Sequence, residues 1–196
     1  MRPALLAVPL AVLLQILSAC ERAPPTPPQP PAAPQSAGAK AAAVHDTVAA
    51  RANGFSVGNV MATRVVYVLF DSQCPHCGRL WQEAKPLLGQ IKMVWVPVRL
   101  MGDLSTRQGA AILAAKDPAA EMDANERSLD AKRGGIVPPR DLPPDALAKV
   151  AANTKLMHEF GVASVPFVVY KHPVSGEQLS FEGALTTEDL KKTFGL

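Results

Sequence analysis

Two cysteines separated by two residues, Cys74-Pro75-His76-Cys77, constrain this chain more than any other feature of its sequence. They follow an apolar, β-branched run over residues 65–70 that predicts a buried strand, and they precede a segment with apolar residues at helical spacing. The sequence therefore places a dithiol where a strand ends and a helix begins. The unpaired N–H groups and the positive dipole end of such a helix favour the thiolate of Cys74 over the thiol.

The ionisation of Cys74 matters because only a thiolate attacks a disulfide. An unperturbed cysteine, with a pKa of about 8.5, is almost entirely protonated at pH 7. Lowering that pKa by roughly two units would make the anion the main species. A protonated His76 would add a second positive charge beside the sulfur. Because a stabilised thiolate is also a stabilised reduced state, the Pro-His filling of the motif favours an oxidising potential.

A Cys-x-x-Cys pair also occurs in zinc sites, in structural disulfides and in Cu(I)-binding proteins, which are three alternatives to a redox-active dithiol. A zinc site needs two further ligands, and no second pair is formed by the remaining candidates, which are Cys20, His45, His158 and His172. A permanently closed disulfide would stabilise the fold little because its loop is short. Capture of Cu(I) by the dithiol is the alternative from another functional class, although the Met and His residues are scattered along the chain.

The third cysteine, Cys20, ends a stretch that resembles a bacterial lipoprotein signal. Arg2 supplies a positive start, residues 3–19 are uncharged and mostly apolar, and small residues come directly before the cysteine. We expect residues 1–19 to be a signal peptide and Cys20 to carry lipid after cleavage. A retained N-terminal membrane anchor is the alternative. Export places the dithiol outside the cytosol, where disulfides form and persist.

A proline-rich linker and one globular domain are expected after the lipidation site. Residues 20–39 contain seven prolines and almost no large apolar side chain, so no core can form there and an extended spacer is predicted. Residues 40–196 are long enough for one domain with its own core. The formal charge of the chain is +3, without a long run of either sign, so no nucleic-acid partner is expected.

The pattern of residues 40–196 predicts β-α-β, then a helical insertion at about 105–160, then β-β-α. The helices of the insertion are predicted to begin near Ser105, Asp117 and Asp145. The helix after the cysteine motif is expected to run to about Gln90, with a kink at Pro86. A later strand is predicted at 165–170, and Thr186 or Thr187 is predicted to cap the last helix.

This order of elements, with Ser164-Val165-Pro166 entering a later strand, resembles the thioredoxin-like thiol:disulfide oxidoreductases. Residues 66–71, 81–86 and 109–118 are more narrowly similar to the catalytic domain of the DsbG/DsbC group of bacterial periplasmic proteins. The resemblance runs from about Phe55 to the C-terminus. It implies an α/β, thioredoxin-like fold with a helical insertion between the central strands.

The resemblance also implies roles for individual residues. Cys74 would be the exposed nucleophile, Cys77 the buried resolving thiol and His76 a residue that tunes the pKa of the nucleophile. Pro166 matches the position of a cis proline in this fold, and the peptide groups around Val165 would pair with an extended substrate strand.

The same resemblance implies the partners of the reaction. The substrates would be thiols or disulfides of extended or unfolded exported proteins, and a DsbB-like or DsbD-like membrane protein would reset the pair. No cofactor or metal beyond the Cys74–Cys77 disulfide is expected.

Two departures from the group shift the expected function from disulfide isomerisation toward dithiol transfer. The segment between Lys40 and Phe55 is too short for the N-terminal dimerisation domain of the DsbG/DsbC group, so a monomer is expected. His76 makes the motif more similar to that of the oxidase DsbA than to the Cys-Pro-Tyr-Cys of DsbG. The sequence thus predicts a periplasm-facing thiol-disulfide oxidoreductase, lipid-anchored to the outer or inner membrane. A DsbG-type isomerase, reductase or sulfenic acid reductase and a Cu(I) chaperone are the alternatives.

Overall fold

A computed structural model of the chain describes residues 44–196. The predicted signal peptide, Cys20 and the proline-rich linker lie outside the described residues. In chain order the elements are α1 (Val44–Arg51), β1 (Phe55–Gly58), β2 (Val65–Phe70), α2 (Pro75–Ala84), β3 (Lys92–Pro97), α3 (Asp103–Ala114), α4 (Pro118–Asp130), α5 (Pro144–Glu159), β4 (Phe167–Lys171), β5 (Gln178–Glu182) and α6 (Thr187–Phe194).

The strands form one mixed sheet in the order β1-β3-β2-β4-β5. β2 and β3 are parallel, and the other neighbouring pairs are antiparallel. A parallel pair needs a crossover connection, which α2 provides. β2 has a neighbour on each side and helices over the sheet, which explains why its sequence is a continuous apolar run. The carboxyl end of this central strand leads directly into the cysteine motif.

Aromatic side chains fix α2 to the sheet. Trp81 of α2 packs edge-on against Trp95 of β3 with 5.0 Å between ring centroids, and Phe70 at the end of β2 contacts the same Trp95 at 5.6 Å. Trp95 and Phe70 are fully buried. Edge-to-face pairs of this kind add about 0.5–1.5 kcal/mol to the burial of the rings. The motif therefore sits on a rigid part of the fold.

The insertion between β3 and β4 consists of α3, α4 and α5, as predicted. α3 and α5 meet through small and aliphatic side chains, which include Ala110, Ala111 and Val150. Gly109 lets α3 approach the end of β3, since a Cβ at this position would lie 2.9 Å from Cβ of Pro97. The insertion thus packs beside the end of the sheet that carries the cysteines.

The structure corrects two predicted helix boundaries. The helix after the motif ends at Ala84 and is followed by a 3-10 turn, Lys85–Leu87, so that Pro86 ends the helix rather than kinking it. Pro86 has no N–H with which to continue the helical hydrogen bonds. Ser105 does not cap α3, because the helix already begins at Asp103, and its buried hydroxyl has no hydrogen-bond partner within residues 44–196.

Other predicted helix starts agree with the structure. Asp117 caps α4 by accepting a hydrogen bond from the N–H of Ala120, and Thr186 caps α6 by accepting one from the N–H of Asp189. The strand predicted at 165–170 begins two residues later, at Phe167. Val165 and Pro166 consequently lie in the loop that approaches the cysteines.

Candidate redox site

The cysteines occupy the first turn of α2. Cys74 is the N-cap residue with an extended backbone (φ −87°, ψ 115°), and Pro75 takes the first helical position, where its missing N–H has no helical partner to lose. The N–H groups of Cys77 and Gly78 donate to the carbonyl of Cys74 at 3.0 and 3.2 Å. Both thiols are free. The strand-to-helix junction inferred from the sequence is therefore present.

The two thiols differ strongly in acidity. The pKa of Cys74 is lowered to about 6, chiefly because the Cys77 thiol donates a hydrogen bond to its sulfur. The backbone N–H groups of Cys77 and His76 and the charge of His76 lower it further, while burial opposes them. Burial and the neighbouring Cys74 raise the pKa of Cys77 well above its ordinary value. At neutral pH the pair is a thiolate beside a neutral thiol.

The accessibility of Cys74 differs from the expectation that it is exposed. Its residue surface is only 6% exposed, against 0% for Cys77. The loop before β4 covers the sulfur, and Sγ of Cys74 lies 3.5 Å from the carbonyl oxygen of Val165. The Val165–Pro166 peptide bond is cis. The backbone of Val165 is therefore the nearest part of this loop to the Cys74 sulfur.

His76 is exposed at the surface of α2, next to both cysteines. Its charge is the smallest of the effects that lower the pKa of Cys74. The structure thus brings Cys74, Cys77, Val165 and Pro166 together, with His76 at the edge. Cys20 lies outside the part of the chain that the structure describes.

Asp71 is a site residue that the sequence analysis did not single out. It is fully buried at the end of β2, and its carboxylate accepts the N–H of Gln73 at 2.8 Å and those of Leu100 and Met101 at 2.7 and 2.8 Å. These bonds hold the loop after β3 against the cysteine motif. An acidic residue directly after a buried strand was the signal available in the sequence.

A network of amide side chains, partly buried, joins the motif to the insertion. The side-chain amide of Gln73 donates to Oε1 of Gln108 and to the carbonyl of Gly134, and Gln108 in turn donates to the same carbonyl. The carboxamide of Asn125 donates to the carbonyl of Ser72 at 2.8 Å. The residues before Cys74 are therefore fixed by α3, α4 and the loop after α4.

Glu126 of α4 is the second site residue that the sequence did not reveal. It is 3% exposed, and one of its carboxyl oxygens lies against Gly78, the residue after Cys77. Burial raises its pKa to about 7, with smaller contributions from Asp130, Cys74 and Asp123. No local sequence pattern places this carboxyl near the cysteines, because α4 is distant in sequence.

Two other kinds of site are absent from the described residues. Residues 44–196 hold no cluster of three or more His, Cys, Asp or Glu side chains able to ligate a metal ion. None of the helices in this part of the chain is long and apolar enough to cross a membrane.

Two curated proteins are similar to this chain in sequence. It is 29% identical over 140 residues to the thiol:disulfide interchange protein DsbG of Pseudomonas aeruginosa, an alignment that covers 70% of this chain and 54% of that protein. It is 30% identical over 115 residues to DsbG of Escherichia coli, covering 58% and 46%. The chain spans about half the length of these relatives. No protein-family model matches it.

Solved structures share the fold at lower sequence identity. The catalytic domain of Proteus mirabilis ScsC has a TM-score of 0.62 at 19% identity, covering 80% of this chain and 95% of that domain. DsbA2 of Pseudomonas aeruginosa has a TM-score of 0.56 at 17% identity, covering 72% and 92%. The predicted α/β, thioredoxin-like fold is thereby confirmed, and the chain is a thioredoxin-fold protein similar in sequence to the DsbG thiol:disulfide interchange proteins of two bacteria.

Proposed function

We propose that this chain is a thiol-disulfide oxidoreductase that exchanges disulfides with protein thiols through Cys74 and Cys77. The observation that carries the proposal is the opposite acidity of the two thiols at the start of α2, with the pKa of Cys74 lowered to about 6 and that of Cys77 raised. A thiolate attacks and leaves readily, whereas the buried Cys77 thiol must lose its proton before it can attack Cys74 and resolve the intermediate. The similarity to DsbG supports the same reaction.

The exchange has two steps. In the oxidising direction, a substrate thiolate attacks Sγ of Cys74 in the Cys74–Cys77 disulfide. This attack forms a mixed disulfide between the substrate and Cys74, and the released Cys77 takes up a proton. A second substrate thiolate then attacks the substrate sulfur of the mixed disulfide, and Cys74 leaves as a thiolate. Two electrons pass from the substrate dithiol to the protein. The reducing direction is the reverse.

An extended polypeptide is the substrate that the surroundings of Cys74 fit best. The backbone at Val165 lies beside the sulfur, where an extended chain can form strand-like hydrogen bonds. Asp71 holds Leu100 and Met101 near the motif, and these apolar side chains are 41% and 57% exposed. Unfolded proteins expose both free backbone groups and apolar side chains. We therefore propose unfolded exported proteins as the substrates.

The cellular setting belongs to the same proposal. The lipoprotein-like signal and the relationship to DsbG support a position in the bacterial periplasm, with Cys20 lipidated and residues 20–39 as a spacer. Because each turnover changes the redox state of the dithiol, a membrane protein of the DsbB or DsbD type must restore it. His76, which lies between the two cysteines, favours an oxidising partner of the DsbB type.

A turnover assay tests the function. Catalytic amounts of the protein should accelerate disulfide formation in a reduced, unfolded protein with glutathione disulfide as the oxidant, and Cys74→Ser should abolish the acceleration. His158→Asn, on the exposed end of α5, should leave it unchanged. Tight, stoichiometric Cu(I) binding by a protein without turnover would replace the proposal with a copper-binding function.

The direction of electron flow needs a separate measurement in cells. Rapid acid quenching followed by alkylation of free thiols reports whether Cys74 and Cys77 are oxidised. A mostly oxidised pair is expected for the proposed oxidase. A mostly reduced pair would assign the reductase or isomerase direction instead.

A further inference from the structure

Glu126 is a buried carboxyl that the exchange mechanism does not use. One of its oxygens lies against Gly78 in the first turn of α2. The other accepts a hydrogen bond from Nδ2 of Asn125 at 3.1 Å, and the same Nδ2 donates to the carbonyl of Ser72 just before the motif. The carboxyl is thus held between α4 and the start of α2 by contacts on both sides of Cys74.

The surroundings of Glu126 do not neutralise its charge. Within residues 44–196 it forms no ion pair, and one hydrogen bond, from Asn125, reaches the carboxyl. The charged groups that act on it are Cys74 of α2 and, on its own helix, Asp123 and Asp130.

The nearby cations do not compensate the negative charge of Glu126. Lys85 pairs with Asp123 at 2.6 Å, and His76 and Arg79 of α2 are exposed to solvent. The thiolate of Cys74 is therefore the one redox-dependent charge among the groups that act on this carboxyl.

We propose that Glu126 is a positioning residue that takes up a proton when the Cys74–Cys77 disulfide is reduced and releases it when the disulfide forms again. This inference rests on the proposed function and deepens it. On reduction, two electrons from a substrate dithiol break the S–S bond, and the substrate dithiol also releases two protons. One proton goes to Cys77 and the other goes to the carboxylate of Glu126, while Cys74 stays a thiolate.

Repulsion between the Cys74 thiolate and the Glu126 carboxylate gives the direction of the coupling between these two groups. The Cys74 thiolate helps raise the pKa of Glu126 to about 7, and disulfide formation removes this contribution. Reciprocally, an ionised Glu126 disfavours the thiolate of Cys74, because the coupling between two titrating groups is mutual. Near neutral pH the carboxyl thus reduces the charge that reduction adds to this buried region. It makes the thiol-disulfide equilibrium with glutathione less dependent on pH than it would be with the cysteines alone.

The test compares Glu126→Gln, which keeps the shape but not the charge, with Glu121→Gln on the same helix. The redox equilibrium with glutathione is measured from about pH 6 to about pH 8, a range that includes the pKa values of Cys74 and Glu126. In Glu126→Gln reduction should take up about one proton, so that the equilibrium constant for reduction by glutathione rises about tenfold per pH unit. The wild type and Glu121→Gln should show a shallower slope. Ultraviolet titration should give a lower Cys74 pKa in Glu126→Gln.

A second measurement needs no variant. Carbon-13 NMR of the Glu126 carboxyl in wild-type protein should give a higher pKa in the reduced form than in the oxidised form. Equal carboxyl pKa values in the two forms, or identical slopes for wild type and Glu126→Gln, would overturn the inference. Neither readout requires a protein substrate. Coupling without turnover would therefore refute the proposed function alone, and turnover without coupling would refute this inference alone.

Discussion

The chemistry of this protein is concentrated in two thiols that lie three positions apart and differ in acidity. The spacing of the residues alone predicts an acidic Cys74 through the helix N-terminus and His76. In the structure the largest contribution is the hydrogen bond from the Cys77 thiol, and the charge of His76 contributes least. The existence of a stabilised thiolate was predictable from residue spacing. The order of its causes was not, because it depends on the orientation of one side chain.

Replacing Cys77 separates the hydrogen bond from the rest of the site. Cys77→Ala removes the donor and should raise the pKa of Cys74 by about one unit or more, whereas Cys77→Ser keeps a hydroxyl donor and should raise it less. Both variants retain the helix N-terminus and His76. Ultraviolet titration of the thiolate measures the difference. Equal pKa values in the two variants would show that the Cys77 side chain does not control the acidity of Cys74.

The stability of the reduced protein should depend on pH through Cys74. Its pKa is lowered on folding to about 6 from an ordinary value of about 8.5, so the stabilisation is fully present above the ordinary pKa and is lost as the pH falls through 6. This difference in pKa corresponds to about 3 kcal/mol. Urea unfolding of the reduced wild type and Cys74→Ser at about pH 9 and about pH 6 measures this term. A constant difference between the two proteins across this range would contradict the lowered pKa.

At the scale of elements, the site depends on close contacts between α2 and the insertion. Asp71 joins the loop after β3 to the motif, and Glu126 and Asn125 of α4 reach the first turn of α2 and the residues before it. The order and type of the elements followed from hydrophobic periodicity and capping residues. The contacts between α4 and α2 could not be predicted in this way, because periodicity identifies which face of a helix is buried but not its neighbour.

Gly78→Ala should destabilise the protein, although alanine forms helices better than glycine by about 1 kcal/mol. Its Cβ would overlap the Glu126 carboxyl, which must then move or distort the first turn of α2. A net loss of about 1–3 kcal/mol is expected in denaturant unfolding, the usual scale for overpacking. The same substitution in a Glu126→Ala background should cost much less. An equal cost in both backgrounds would rule out the contact.

Asp71→Ala should cost about 3 kcal/mol or more, since it leaves the N–H groups of Gln73, Leu100 and Met101 without their acceptor. The matched control is Asp145→Ala, which removes an exposed ion pair to Lys149 and should change the free energy of unfolding by less than about 1 kcal/mol. Thermal or urea unfolding distinguishes the two. Similar losses in both variants would mean that the buried bonds of Asp71 contribute little.

At the scale of the whole molecule, one end of the sheet gathers residues that are far apart in the sequence. Cys74 follows β2, Val165 precedes β4, and Glu126 comes from the insertion between β3 and β4. The cysteine motif and the later Val-Pro pair were sufficient to predict the first two as neighbours, through the resemblance to thioredoxin-like proteins. The position of Glu126 depends on how the insertion folds back over the motif, and only the structure shows it.

A single-turnover reaction with a defined peptide shows whether Cys74 exchanges disulfides with the thiols of an unfolded chain. The oxidised protein is mixed with an equimolar, unstructured peptide that carries two cysteine thiols, and the products are quenched in acid and identified by mass spectrometry. We expect a transient mixed disulfide between the peptide and Cys74, followed by one peptide disulfide and one reduced Cys74–Cys77 pair per molecule. A peptide that stays reduced beside an intact protein disulfide, or an adduct formed at Cys77 instead, would contradict this expectation.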